Sequence, residues 1–379
     1  MEPYLKRAWA EIDLGKLKRN AEIIRGLNSP STKIMAVVKA DAYGHGYEHI
    51  VHALAQECGI ENFAVSNLDE AIAVRESAPK ADILILGYTP PEYAHEISAN
   101  DIIQGVVSTE YAKALVRNTP SPIRCHVKID TGMGRIGLKH DDPKDCAAEI
   151  AEMMKIEKLS VEGIYTHFAV ADSDDPDNVA YTDRQQQYIL AVYDRLKEMG
   201  IVLPHCHFMN SAATCYRNTP RSTLSRAGII LYGLHPDMSL PIPEGLEPVM
   251  EVKAVISQVK TAQPGDCISY GRTFTVDHEM RIATVTVGYA DGYSRLLSGK
   301  GEILVHGKRC RIVGRVCMDQ LMIDVSEVPE ASSGDIVTLI GRDGDDIITA
   351  DELASLYGTI GYEVVCGISK RVPRIYKEA

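Results

Sequence analysis

Lys39 closes an apolar run, Ile34 to Val38, and Tyr43, Gly44 and Gly46 follow directly in the chain. An ammonium at the end of a buried strand is the arrangement that yields a reactive amine. Shielding from water disfavours the charged form, and the neutral amine can form a Schiff base with a carbonyl. A lone lysine in this position commonly just reaches water, but here the two glycines let backbone approach a ligand closely at low steric cost. Other reactive residues stand in the same relation to an apolar run. "HVKIDTGMGRIG" leaves Lys128, Asp130 and Arg135 at the end of a fifth run, and "YTHF" leaves His167 at the end of a sixth. "FMNSAA" leaves Asn210 and Ser211 after a seventh, and "SRAGI" leaves Arg226 and Gly228 after an eighth.

The elements that must position them are short. "IMAVVK", "NFAVSN", "DILILG", "IQGVVS", "IRCHVKID", "VEGIYTHF", "HCHFMNS" and "TLSRAGI" read as strands. Most are separated by segments of helical spacing, such as "DRQQQYILAVYDRLKEMG" from Asp183, which stops at Gly200. Parallel strands with helical crossovers follow, and about eight such units close a (β/α)8 TIM-type barrel, although an open doubly wound sheet accepts the same alternation. In a barrel the catalytic side chains stand at the C-terminal strand ends, which would gather the residues above on one rim. Pro236, Pro241, Pro243 and Pro248 then mark a linker, and β-type segments dominate beyond it: "EVKAVISQVK", "RIATVTVG", "EILVHGKRCRIVGRVCMDQLMIDV" and "DIVTLIG", with one helical piece, "ADELASLYG". The expected α/β architecture is a barrel over residues 14–240 followed by a smaller, mostly β domain over 241–379, joined by an N-terminal strand within 1–13.

The 379 residues exceed the usual length of one domain, in keeping with that division. A formal charge of −12 argues against nucleic-acid or anionic-membrane partners, which select basic surfaces. No apolar stretch approaches the ~20 residues of a membrane span, and the N-terminus lacks the apolar core of a signal peptide. Nine cysteines form an odd set without a C-x-x-C pair, so reduced thiols in a cytoplasm are expected, with no disulfide framework and no metal site.

Three patterns mislead. "GMGRIG", from Gly132, matches a dinucleotide-binding fingerprint but has "LKHDDP" where a helix should open. "DSDDPD", from Asp172, resembles a calcium loop but has Pro176 at a ligand position, so a solvated loop is expected. "HCH" puts His205 and His207 on one strand face, where a core or hydrogen-bonded role is the better reading.

"AVVKADAYGHG", "KIDTGMGRIG", "THFAVAD", "MNSAAT", "ISYG", "VGYADGY", "GRVCMDQ" and "GYEVVCGISKRVPRIY" together resemble bacterial alanine racemases. These are fold-type III enzymes that use pyridoxal 5'-phosphate (PLP) on a (β/α)8 barrel with a C-terminal β domain. The resemblance spans nearly the whole chain. It implies a homodimer with shared active sites that interconverts L- and D-alanine and supplies D-alanine for peptidoglycan. It further implies that Lys39 binds PLP covalently and acts as one base, and that Tyr270, from the partner subunit, is the other. Tyr43, Ser211, Tyr362 and the backbone around Gly228 and Ile229 would hold the phosphate, with Asn210 beside them. Arg226 would meet the pyridine nitrogen, His167 would pack near the ring, and Arg135 would reach the phenolic oxygen. Lys128 matches a lysine that is carbamylated in some members. Met318, from the partner, would meet the substrate carboxylate, and Arg295 and Arg315 would line the entrance.

The alternatives are a racemase of serine or another amino acid, an amino-acid decarboxylase of the same fold, a non-catalytic PLP carrier, and an NAD enzyme. A decarboxylase would place a carboxylate at the pyridine nitrogen, where this chain has Arg226. A carrier would leave the β domain with Tyr270 and Met318 without purpose, and the NAD enzyme rests on "GMGRIG" alone.

Overall fold

In the computed structural model, which describes residues 7–217 and 219–378, the first strand, β1 (Ala8–Asp13), belongs to the far half of the chain. It pairs antiparallel with the strand Met250–Ala262 and parallel with Arg374–Lys377. Eight short strands come next. They are β2 (Lys33–Val37), β3 (Asn62–Val65), β4 (Asp82–Ile85), β5 (Ile103–Val106), β6 (Ile123–Lys128), β7 (Leu159–Tyr165), β8 (His205–His207) and β9 (Leu224–Ala227). They form one parallel sheet in the order β8-β7-β6-β5-β4-β3-β2-β9. The two ends of that order meet: Met209 bridges Ser225, and the Arg226 amide donates to Met209 O at 3.1 Å. The sheet is therefore a barrel and not an open doubly wound sheet. Strands such as β2, β3 and β4 read as near-continuous apolar runs because both faces are covered, by helices outside and by one another inside.

Several crossover helices start on side-chain caps. Asn67 accepts from the Glu70 amide, Ser108 from Tyr111, and Asp142 from Lys144 with Pro143 in the first turn. The long helix expected from Asp183 begins earlier, at Pro176, and runs to Glu198. Asp175 caps it, accepting from Asp177 and Asn178, so the end of "DSDDPD" is a helix start and not merely a solvated loop.

No strand or helix lies between Tyr232 and Met250 among the described residues, in keeping with the proline-rich linker. Beyond it, β1 and eight strands of the second half form a nine-stranded sheet. Ala350–Tyr357 is the expected helix; a second one, Gly361–Gly367, was not expected. It is short and bounded by glycines, and it buries Val364 and Val365 against the barrel side of the molecule. One apolar core runs without a break from the barrel into this sheet. Residues 1–6 and Ala379, which fall within the expected segments, lie outside the described residues. No helix among the described residues is long and apolar enough to cross a membrane.

Candidate active site

Lys39 follows β2, as expected, but the backbone beyond it is wound and not loosened. Ala40, Asp41, Ala42 and Tyr43 all have positive φ, between 52° and 55°, and form a left-handed helical turn. For L-residues this conformation costs roughly 1–2 kcal/mol each, so the surroundings must impose it. Glu70 accepts from the Ala40 amide at 2.8 Å, the Asp41 carboxylate accepts from the Tyr47 amide at 3.0 Å, and the Gly44 amide donates to Ala40 O at 2.9 Å. Gly44 and Gly46 both lie against the C-terminal segment. A Cβ on Gly44 would collide with the carbonyl of Val365, and one on Gly46 with the Tyr376 hydroxyl. Arg374 also donates to Gly44 O at 2.9 Å. The strained turn is thus clamped between the barrel and the last residues of the chain, and it fixes where Lys39 leaves the backbone.

Several cations gather around it. Burial lowers the Lys39 pKa, with the Arg135 charge adding to the effect. Lys128 ends β6, is buried, and sits 4.9 Å above the Tyr165 ring; burial holds its pKa well below the usual value, and Arg226 and Arg135 push it the same way. Arg226, buried on β9, donates to Thr166 O at 2.7 Å and to His207 Nδ1 at 2.9 Å. Its pKa falls to about 10, chiefly through burial, which still leaves it charged at neutral pH. His167 Nδ1 lies 3.4 Å from the same guanidinium, and burial followed by Arg226 holds the ring neutral. Two guanidinium groups and two lysines of lowered pKa thus lie within electrostatic reach of one another, an arrangement that an anion would stabilise. The nearby carboxylates are engaged elsewhere: Glu70 with the Ala40 and Ser66 amides, Asp130 with the Gly132 and Gly134 amides.

A second cluster completes the pocket. Ser211 begins the helix Ser211–Tyr216, held there by the Asn210 side chain, which accepts from the Ala213 amide. Ser211 Oγ accepts from the Gly228 amide at 2.9 Å. A Cβ on Gly228 would lie 2.6 Å from the Tyr43 hydroxyl, so only glycine leaves this gap open. The Tyr43 ring packs 6.1 Å from that of Tyr362, which the unexpected helix Gly361–Gly367 carries, and burial raises both phenol pKa values and keeps both as donors. Hydroxyls around a glycine gap, beside concentrated positive charge, suit a phosphate ester, and these residues fit the phosphate end of PLP.

The remaining expected residues lie in the β domain. Tyr270 (71% exposed) stands on a short turn, Tyr270–Arg272, and Met318 (53% exposed) on a loop. No hydrogen bond or ring contact joins either to the Lys39 cluster among the described residues. Arg315 lies against Gly271, next to Tyr270, and Arg295 is exposed on a separate short turn. Within one chain, then, the structure brings together Lys39, Tyr43, Lys128, Arg135, His167, Ser211, Arg226, Gly228 and Tyr362, and leaves Tyr270 and Met318 on the surface.

Sequence reasoning missed Tyr165, which stacks on His207 with ring centroids 5.1 Å apart and lies beneath both Lys128 and Arg226. Its only signal was its place in "YTHF". The "GMGRIG" glycines form a loop around Asp130, and the next helix opens at Pro143.

Comparison with known proteins places this geometry. Residues 12–236 match the family model for the alanine racemase N-terminal domain, and 249–376 that for the C-terminal domain. The alanine racemase of Desulfovibrio desulfuricans is 43% identical over 382 residues, covering 100% of each chain. That of Desulforamulus reducens is 43% identical, covering 97% of this chain and 98% of the other. The Bacillus anthracis alanine racemase crystallised with bound L-Ala-P superposes with a TM-score of 0.91 at 38% identity, covering 99% of this chain and 96% of the other. The Enterococcus protein "alanine racemase from E.faecalis" gives a TM-score of 0.92 at 35% identity and 99% coverage of both.

Proposed function

The chain belongs to the alanine racemase family, and on that premise we propose how its own residues divide the work. The enzyme interconverts L- and D-alanine with pyridoxal 5'-phosphate. When bound, PLP supplies the electron sink for the negative charge left on the α-carbon after its proton departs. Tyr43, Ser211, Tyr362 and the backbone around Gly228 and Ile229 hold the phosphate, Asn210 fixes Ser211, and Arg226 donates to the pyridine nitrogen with His167 at its side. Lys39 attaches the cofactor and moves a proton on one face of the α-carbon. Inversion needs a second base on the opposite face, and Tyr270 of a second copy takes that part. Arg135 reaches the phenolic oxygen, assisted by Lys128, which is a candidate for carbamylation. Met318 of the second copy meets the substrate carboxylate, and Arg295 and Arg315 line the entrance.

The observation that carries this reading is the convergence of Lys39, Lys128, Arg135 and Arg226 on one rim, next to the hydroxyl-lined gap at Gly228. Such a site is completed by a phosphorylated, anionic cofactor. The exposure of Tyr270 and Met318, neither of which has a hydrogen bond or ring contact to the Lys39 cluster among the described residues, supports a homodimer with shared sites. We further propose the division into a barrel over 14–240 and a β domain over 241–379 joined by 1–13, action in the cytoplasm, and a supply of D-alanine for peptidoglycan.

Mixing two inactive proteins, Lys39→Ala and Tyr270→Ala, tests the shared site. A heterodimer carries one site with both defects and one with neither, so activity should return after subunit exchange. Demonstrated exchange without recovery would count against a shared site.

A further inference from the structure

Behind Arg226 a line of histidines crosses the barrel interior. His126 on β6 and Lys128 share one strand face, two residues apart. His126 Nδ1 lies 2.9 Å from His207 Nε2, and His207 Nδ1 lies 2.9 Å from Arg226 Nη1. Both imidazoles are buried, and Gly163 leaves room for that of His126: a Cβ there would stand 3.1 Å from His126 Cδ2 and 2.7 Å from His205 Cβ.

We infer that His126 is a positioning residue for racemisation, accepting the Nε2 proton of His207 and thereby keeping the His207 Nδ1 lone pair turned to Arg226. The inference deepens the assignment of Arg226 to the pyridine nitrogen and rests on it. The logic is one of donors and acceptors. A guanidinium has only donors, so the His207 nitrogen facing Arg226 must be bare. A neutral imidazole carries one proton, which then sits on Nε2 and points at His126. His126 must therefore receive it on a bare Nδ1, with its own proton on Nε2. That Nε2 has no partner among the described residues, nor has His205 Nδ1, whose ring centroid lies 5.2 Å from that of His126. A buried imidazole with an unpaired N–H is retained here because its other nitrogen sets the neighbour.

Without an acceptor at position 126, the His207 Nε2–H is left buried and unpaired, and the preference over the tautomer with its proton on Nδ1 shrinks. That proton would face an Arg226 N–H, donor against donor, and displace the guanidinium. Tyr165, stacked on His207 at 4° between planes, keeps the ring from escaping by rotation out of the line. Burial keeps His126 and His207 neutral, in agreement with the tautomers required.

Neutron diffraction from the holoenzyme should place hydrogen on His207 Nε2 and none on Nδ1; hydrogen on Nδ1 overturns the inference. With pyridine-15N PLP bound, His126→Leu should shift the pyridine resonance and lower kcat ~10-fold or more, as small misplacements of a positioned group do. His126→Asn, which restores an acceptor, should recover most of both. Arg226→Gln is the reference. A shift in Arg226→Gln without one in His126→Leu overturns the inference and leaves the Arg226 assignment standing; no shift in either overturns both. Should His126→Leu fail to fold, the neutron result and His126→Asn decide, and an Asn variant with a displaced resonance and lost kcat counts against the inference.

Discussion

A Cβ built on Gly228 would stand 2.6 Å from the Tyr43 hydroxyl, although Tyr43 follows β2, the first strand of the barrel, and Gly228 follows β9, the last. Tyr43 cannot yield easily: it is buried, and its ring packs 5.1 Å from that of Tyr232. Gly228→Ala should therefore weaken PLP binding more than it weakens the fold. Forcing a methyl into a packed site costs ~1–3 kcal/mol, and each 1.4 kcal/mol is about tenfold in affinity. Cofactor titration followed by fluorescence should show a Kd raised ~10-fold or more. An unchanged Kd would mean that the phosphate does not use this gap.

Arg226 is charged at neutral pH and can only donate, so on the proposed assignment it would leave the pyridine nitrogen of bound PLP without a proton. Negative charge at the α-carbon would then be poorly spread into the ring, which would favour return of the proton over side reactions. Arg226→Glu should lower racemisation ~100-fold or more, the scale of losing a major electrostatic group, and should raise the side reaction to pyruvate and pyridoxamine phosphate. Coupled assays for D-alanine and pyruvate read both. Normal turnover at saturating PLP would reduce Arg226 to a brace for the Gly228 loop.

The left-handed turn after Lys39 can be tested at Ala40, the exposed member. Ala40→Gly relieves ~1–2 kcal/mol of backbone strain but loses ~0.5–1 kcal/mol through chain entropy, so folding stability should rise slightly or hold. Ala40→Val should lose ~1–3 kcal/mol, since a β-branched residue tolerates positive φ poorly. Urea midpoints separate the two. Equal stability for both variants would show that the turn relaxes to ordinary geometry.

His45 lies wholly buried behind this turn, with Nδ1 3.0 Å from both Ala42 O and Tyr43 O. Burial lowers its pKa to about 4, against ~6.5 for a free imidazole. Between those values the unfolded chain binds the extra proton and the native one does not. This contribution is therefore fully present above pH ~6.5 and is lost as pH falls toward about 4, with a slope approaching ~1.4 kcal/mol per pH unit. His45→Gln should flatten the acid limb of the urea stability curve by that amount. Parallel curves for the two proteins would show that His45 titrates normally in the fold.

The amino-acid sequence by itself determined the eight strands and the loaded rim. Parallel strands covered on both faces are largely apolar, so "IMAVVK" or "DILILG" announces itself locally, and the cation at the end of the first is plain. The resemblance carried by "AVVKADAYGHG" and its companions added the chemistry. The start of the long helix was also legible, in Asp175 and Pro176, but the acidic loop pattern obscured it. Only the tertiary structure decided what Gly44 and Gly46 are for, because their close neighbours, Val365 and Tyr376, come from the far end of the chain. Only closure of the barrel put His126 on His207, 81 residues apart in sequence, and His207 on Arg226. "HCH" read alone is a core strand. The difference is one of range: strand burial is written in adjacent residues, whereas a hydrogen-bond line across a barrel depends on which strands become neighbours and in what register.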